Sequence, residues 1–205
     1  MKVLLVNGSP HTNGTTYAAL CECERALKEN GIETEIYQLG NRPIQDCIGC
    51  KKCVQKRKCV FDDAVNEFTE KADTADGFIF GSPVYYAHPA GQLLSFMDRA
   101  FYSSGKSFAF KPAAAVNVSR RAGGVTSMDV TNKYFSICQM PIVSSTYWNE
   151  PHGKDGEEVK EDTEGMMTMY NLGKNMAWLL KCIELGKQGG IEHPQNEKVL
   201  TNFVR

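Results

Sequence analysis

Residues 3–16 read Val3-Leu4-Leu5-Val6-Asn7-Gly8-Ser9-Pro10-His11-Thr12-Asn13-Gly14-Thr15-Thr16, and this stretch decides the fold. Val3 to Val6 is a continuous apolar run without alternation, the pattern of a strand covered on both faces. Asn7, Gly8 and Pro10 break it. From Thr15 onward apolar residues recur at helical spacing, with Ala19, Leu20, Cys23, Ala26 and Leu27 on one face and Asn30-Gly31 as the stop. A buried strand, a glycine loop and an amphipathic helix form the opening unit of a doubly wound α/β protein.

The same alternation continues along the chain. Residues 32–39 alternate as a second strand, and Asp62-Asp63 is placed to cap a helix carrying Val65, Phe68 and Ala72. Gly77-Phe78-Ile79-Phe80-Gly81 is a third strand, followed by a loop over 82–89 and a helix with Leu93, Leu94, Met97 and Phe101 on one stripe. Residues 113–118 and 142–146 are the expected fourth and fifth strands, separated by a less regular helix around 128–138. The polar stretch 148–164 reads as a loop, and a helix over about 164–186 buries Met169, Leu172, Met176, Leu179, Leu180 and Ile183. Gly189-Gly190 opens a tail of about residues 187–205. Strands alternating with helices imply a parallel sheet with right-handed crossovers. In such sheets ligands sit at the carboxyl ends of the strands, which makes the loops after strands one, three and four the informative ones.

Composition narrows the function. At 205 residues a single domain over 1–205 is expected, and 42% apolar with 23% charged residues is globular usage. A formal net charge of -1 disfavours nucleic acid and anionic membranes as partners, and the basic run from Lys51 to Lys58 reads as a solvated loop face. The apolar start is too short for a signal peptide, and nothing approaches the roughly 20 apolar residues of a membrane span. A cytoplasmic protein with reduced or metal-bound cysteines is expected.

The loop from Gly8 to Thr16 combines glycines, hydroxyls and a helix N-terminus, which suits a phosphate without any lysine. It is neither Gly-x-Gly-x-x-Gly nor the lysine-bearing loop of nucleotide triphosphatases. Ser9 lacks a Gly-x-Ser-x-Gly elbow, so hydrolase chemistry is disfavoured. His88, His152 and His193 have no partner at ligand spacing. Cys47-x2-Cys50-x2-Cys53-x5-Cys59 places four thiols within thirteen residues, a set open to a four-iron cluster, to zinc, or to free thiols. Cys21, Cys23, Cys138 and Cys182 fall at helical positions and read as small core residues.

On these residues the chain resembles the NADPH-dependent FMN reductase family. Gly8-Ser9-Pro10 with Asn13-Gly14-Thr15 is similar to that family's phosphate loop. Gly81-Ser82-Pro83-Val84-Tyr85-Tyr86 is similar to its loop against the flavin, as are Gly91 to Arg99 to the helix that follows and Ser119-Arg120-Arg121-Ala122-Gly123-Gly124 to its third flavin loop. The resemblance covers roughly residues 1–185 and implies a flavodoxin-like, doubly wound five-stranded parallel sheet with helices on both faces. It implies FMN held by Ser9, His11, Asn13, Gly14, Thr15 and Thr16 at the phosphate and by Pro83, Val84, Tyr85 and Tyr86 beside the ring. Ser119, Arg120, Arg121, Gly123 and Gly124 are the implied polar partners. FMN is expected rather than FAD, because the loop closes on a terminal monophosphate and no second nucleotide unit follows.

The cysteine spacing resembles the iron-sulfur flavoprotein branch, which implies a 4Fe-4S cluster on Cys47, Cys50, Cys53 and Cys59. The implied activity is an NAD(P)H-dependent FMN or quinone-type reductase, passing electrons to a small molecule or redox protein, with no acid-base catalytic residue needed. A homo-oligomer, dimer or tetramer, is expected from the same resemblance. The alternatives are an iron-sulfur flavoprotein or flavodoxin-like carrier fed by a ferredoxin-type donor, and a flavin-binding sensor. Flavodoxins are typically strongly acidic, so the net charge of -1 argues against a pure carrier.

Overall fold

A computed structural model describes residues 1–201 and 203. In chain order the elements are β1 (Lys2–Asn7), α1 (Thr15–Glu29), β2 (Glu33–Gln38), α2 (Cys53–Lys56), α3 (Ala64–Thr74), β3 (Gly77–Tyr85), β4 (His88–Pro89), α4 (Gly91–Phe108), β5 (Ala113–Val118), α5 (Gly124–Ile137), α6 (Glu158–Glu161) and α7 (Thr163–Gln188). The parallel ladder runs β2-β1-β3-β5, and β4 pairs antiparallel with the end of β3. The chain leaves β1 toward β2 on one side and returns to β3 on the other. The topological switch point therefore lies between the carboxyl ends of β1 and β3.

The unbroken apolar run of β1 is explained by two cores. Leu4 and Val6 face one of them, with Phe78 and Phe80 of β3 and the aromatic residues Phe68, Phe96, Phe101, Phe108 and Phe135 from α3, α4 and α5. Val3 and Leu5 face the other, with Ile79, Val116 and the paired helices α1 and α7 through Leu20, Leu27, Leu172 and Met176. Helices thus cover both faces of the doubly wound sheet, as expected. Gly173 brings α1 and α7 together, since a Cβ there would lie 2.5 Å from the Cys23 carbonyl oxygen. Asp63 caps α3 as the sequence suggests, its carboxylate accepting from the Val65 N–H at 3.1 Å.

Three local readings change. Residues 142–146 do not form a continuous strand; the segment beyond β5 pairs with it through isolated parallel bridges at Ala113–Ile142 and Ser119–His152, and between them the Asn117 N–H donates to the Asn149 carbonyl at 3.0 Å. Between those bridges β5 advances from 113 to 119 while its neighbour advances from 142 to 152, so the surplus residues bulge out of the ladder. Pro141 and Pro151 accept from β5 but have no N–H to return. The loop expected over 82–89 is instead the end of β3 and a tight hairpin, turned by Tyr86 and Ala87 at φ 52° and 60°, the left-handed geometry that hairpin twist favours. Finally, α5 starts at Gly124 rather than near 128, and the polar stretch 148–164 contains the single turn α6. Among the described residues no helix is long and apolar enough to cross a membrane.

Candidate functional site: a cleft at the sheet switch point and a cysteine-lined pocket

The loop after β1 is shaped by the side chain of Asn7, which is fully buried. Its Nδ2 donates to the His11 carbonyl at 3.1 Å, and its Oδ1 accepts from the Ser9 N–H at 3.1 Å. Gln38 of β2 donates to the Ser9 carbonyl at 2.6 Å, tying the loop to the neighbouring strand. Ser9 Oγ accepts from the His11 N–H at 3.2 Å, which leaves the Ser9 hydroxyl proton free to donate elsewhere. Gly14 is the N-cap of α1, with no side chain capping the helix and no acidic residue in its first turn. The first-turn N–H groups are therefore available to an anion, with no carboxylate competing. Behind them, Thr16 Oγ1 is buried without a partner.

These residues form one wall of a cleft of about 730 Å³, within the range of small-molecule and cofactor sites. Ser9, His11, Asn13, Gly14 and Thr15 meet Pro83, Val84 and Tyr85 from the end of β3, and Val118 and Arg120 from the end of β5. Convergence of loops from β1, β3 and β5 follows from the strand order. The last wall is Gly153-Lys154-Asp155-Gly156, which sequence reasoning missed. Two glycines bracketing Lys-Asp inside a polar stretch are its only local signal. Gly156 is required for the approach, because a Cβ there would lie 2.5 Å from the Asn13 carbonyl oxygen.

This wall is pinned from below. The Asp162 carboxylate accepts from the His152 N–H at 2.7 Å through one oxygen and caps α7 at the Gly165 N–H at 2.9 Å through the other. Backbone N–H groups of Glu158 and Glu157 hold the Asp155 carboxyl below its ordinary range, so it carries its charge at neutral pH. Asp162→Ala removes a helix cap and one anchor of the wall. It is expected to cost about 1–2 kcal/mol, read as a fall in melting temperature of roughly 2–8 °C.

Other expected site residues are placed differently. Tyr85 is half exposed, but Tyr86 stands at the hairpin tip entirely in solvent. Gly123 adopts φ 96° and seats that tip, since a Cβ on it would lie 2.8 Å from Ala87 Cα. The Gly124 N–H was expected to face the ligand, yet it donates to Glu150 Oε1 at 2.8 Å, and the Ser119 hydroxyl lies 3.4 Å from the same oxygen. A carboxylate at the N-terminus of α5 engages both donors inside the protein. Arg121 is exposed and does not line the cleft.

The second cluster is the cysteine loop. Cys47, Cys50, Cys53 and Cys59 all line one small cavity of about 20 Å³, with Ile48, Val60, Phe61 and Arg99 among its walls. Gly49, Lys51 and Arg57 adopt positive φ, and these reversals wind the segment back on itself. Among the described residues no three His, Cys, Asp or Glu side chains converge on a point suited to one metal ion. Burial raises the Cys53 thiol above its ordinary range. Of the remaining cysteines, Cys23 is buried in the core as expected, whereas Cys182 lies on the exposed side of α7.

Comparison with known proteins agrees with this geometry. The family model described as NADPH-dependent FMN reductase matches residues 1–155. An iron-sulfur flavoprotein of Methanocaldococcus jannaschii is 35% identical over 195 residues, covering 90% of this chain and 100% of that protein. One from Methanosarcina thermophila is 29% identical over 188 residues, covering 90% and 97%. Among solved structures, an NAD(P)H:quinone oxidoreductase from Methanothermobacter marburgensis superposes with a TM-score of 0.67 at 16% identity, covering 86% of this chain and 98% of that one. An archaeal flavodoxin gives 0.60 at 13% identity, covering 88% and 99%. At these identities the two structures speak for the flavodoxin-like fold alone.

Proposed function

Because the chain belongs to the NADPH-dependent FMN reductase family, we propose that it is an FMN-dependent oxidoreductase that oxidises NAD(P)H and reduces a quinone-type, flavin or protein acceptor. The observation that carries this reading is the uncapped, acid-free N-terminus of α1 opening into the switch-point cleft beneath Ser9, His11 and Thr15. FMN, when bound, supplies the electron chemistry, accepting a hydride or single electrons. The protein's own groups bind and orient. Ser9 and Thr15 hydroxyls and the first-turn N–H groups are the phosphate donors, with His11 and Asn13 beside them. Tyr85 offers flat amphipathic surface to a ring. Arg120 brings a fixed positive charge to the cleft, which favours an electron-rich ring edge. Thr16 is buried behind the phosphate donors, Ser119 and Gly124 are tied to Glu150 and Gly123 seats the hairpin tip, so these three support the loops, while Tyr86 and Arg121 stand in solvent.

Steady-state oxidation of NADH and NADPH with a panel of quinone, flavin and dye acceptors tests the activity. Turnover with at least one nicotinamide is expected, and none with any would sink the reductase reading. Heat-released cofactor should run as FMN, and FAD as the main species would count against the cleft as drawn.

A second centre is favoured by one specific observation, the four cysteines placed around a common cavity. A four-iron cluster is held by one thiolate per iron, and four cysteines on one short loop supply that number. On this reading Cys47, Cys50, Cys53 and Cys59 would hold the cluster and allow single-electron donors of the ferredoxin type to feed the flavin. A cytoplasmic setting fits eight cysteines none of which is paired in a disulfide.

Self-association has its own support. Met167, Trp178 and Leu185 expose large apolar side chains on α7, and at spacings of eleven and seven residues they fall on one side of the helix, where a second copy could cover them. Light scattering at micromolar concentration is expected to return a dimer or tetramer of the 22.8 kDa chain; a single-chain mass would contradict it.

A further inference from the structure

Arg99 sits in α4 with its side chain almost completely buried, beside the cysteine cavity. A guanidinium carries five N–H donors in a fixed fork, and all five are used. Nη1 donates to the Gln45 carbonyl at 3.0 Å and to Asp63 Oδ2 at 2.7 Å. Nη2 donates to the Phe61 carbonyl at 3.3 Å and to Asp63 Oδ1 at 2.8 Å. Nε donates to the Cys59 sulfur at 3.2 Å. The Phe61 ring lies against the cation, 5.0 Å from centroid to guanidinium carbon. One side chain therefore grips residue 45 before the first cysteine and residues 59, 61 and 63 at and after the last.

We propose that Arg99 is the positioning residue of the cysteine centre, closing both ends of the loop onto α4 and donating a hydrogen bond to the Cys59 sulfur that eases reduction of the bound cluster. The inference rests on the four-iron reading above and concerns the protein's side of it. The Asp63 carboxylate neutralises the guanidinium through its outer edge, so the inner Nε–H acts on the sulfur as a directed donor rather than as a bare charge. Such a bond strengthens as negative charge accumulates on sulfur, and one-electron reduction by an external reductant adds that charge with no bond made or broken. The reduced state is favoured, and the potential rises. Lysine could not substitute, because three donors on a flexible stem cannot satisfy five acceptors arranged around a plane.

The test compares Arg99→Met/Asp63→Asn with Asp63→Asn alone, both purified anaerobically with their FMN. Asparagine still caps α3, and methionine fills the arginine's volume without leaving an unpaired carboxylate, a replacement that buried ion pairs often tolerate. Reduction of the cluster, followed by electron paramagnetic resonance during a dithionite titration, is expected to become about tenfold less favourable, a fall of about 59 mV for one electron. Iron release to a chelator should also quicken. An unchanged potential in a variant that retains its cluster would overturn the proposal. Should the double variant fail to fold, wild-type protein labelled with 15N-arginine serves instead. The reduced cluster is then expected to show hyperfine coupling to that nitrogen, and its absence overturns the proposal equally. Wild-type protein without iron would remove the four-iron reading itself, an outcome separate from either of these.

Discussion

Cys50→Ala protein purified without oxygen is expected to contain FMN at the wild-type level and no iron, and the wild type beside it is expected to return about four irons and four sulfides per chain. Each thiolate in such a centre ligates one iron, so loss of one ligand exposes an iron at the mouth of a cavity already open to water. Cys50 is itself exposed, so the iron it would hold is open to water once the thiolate is removed. FMN is retained because the two sites share no lining residue: the cleft is built by the ends of β1, β3 and β5, the cysteine pocket by the 47–61 segment and α4. Iron and acid-labile sulfide analysis beside flavin absorbance reads both at once. Wild-type protein with normal flavin and no iron would leave these cysteines as structural thiols. Iron persisting in the variant would place the cluster elsewhere.

Ser9→Ala combined with Thr15→Ala is expected to weaken FMN binding by about 2–4 kcal/mol, roughly 30- to 700-fold in dissociation constant. Each hydroxyl would make a charge-assisted bond to phosphate, at about 1–2 kcal/mol net apiece. Ser9 also accepts from the His11 N–H, so its loss loosens the loop that presents the remaining donors. The first-turn N–H groups survive in the double variant, which is why binding is weakened rather than abolished. Fluorescence titration of apoprotein with FMN measures the change. Riboflavin, lacking the phosphate, provides the control: its affinity should respond far less to the substitutions. Unchanged FMN affinity would show that the phosphate lies elsewhere.

Much of the architecture was legible in short stretches of chain. The unbroken apolar run of β1 announced a strand covered on both faces, and Leu4 and Val6 do face one core while Val3 and Leu5 face the other. The helical periods of α1, α4 and α7 and the Asp63 cap were visible for the same reason: spacing, capping and steric exclusion act between residues a few positions apart. Likewise the features that suit the loop after β1 to an anion, a helix start and a hydroxyl-rich glycine loop, are both local and readable from the sequence.

What escaped the linear reading depends on parts of the chain that meet only after folding. Residues 142–146 have strand-like composition, but whether they pair depends on matching length against β5, and four surplus residues with Pro141 and Pro151 break that ladder. The wall at residues 153–156 belongs to the cleft only because Gly156 can lie against Asn13, a contact across more than a hundred residues. Glu150 engages the Gly124 N–H, and Arg99 reaches from α4 to Gln45, Cys59, Phe61 and Asp63. Periodicity carries the direction of a side chain relative to its own helix or strand. It carries nothing about which distant carbonyl, carboxylate or sulfur the folded chain sets in front of that side chain, and hydrogen bonds of about 3 Å are settled only there.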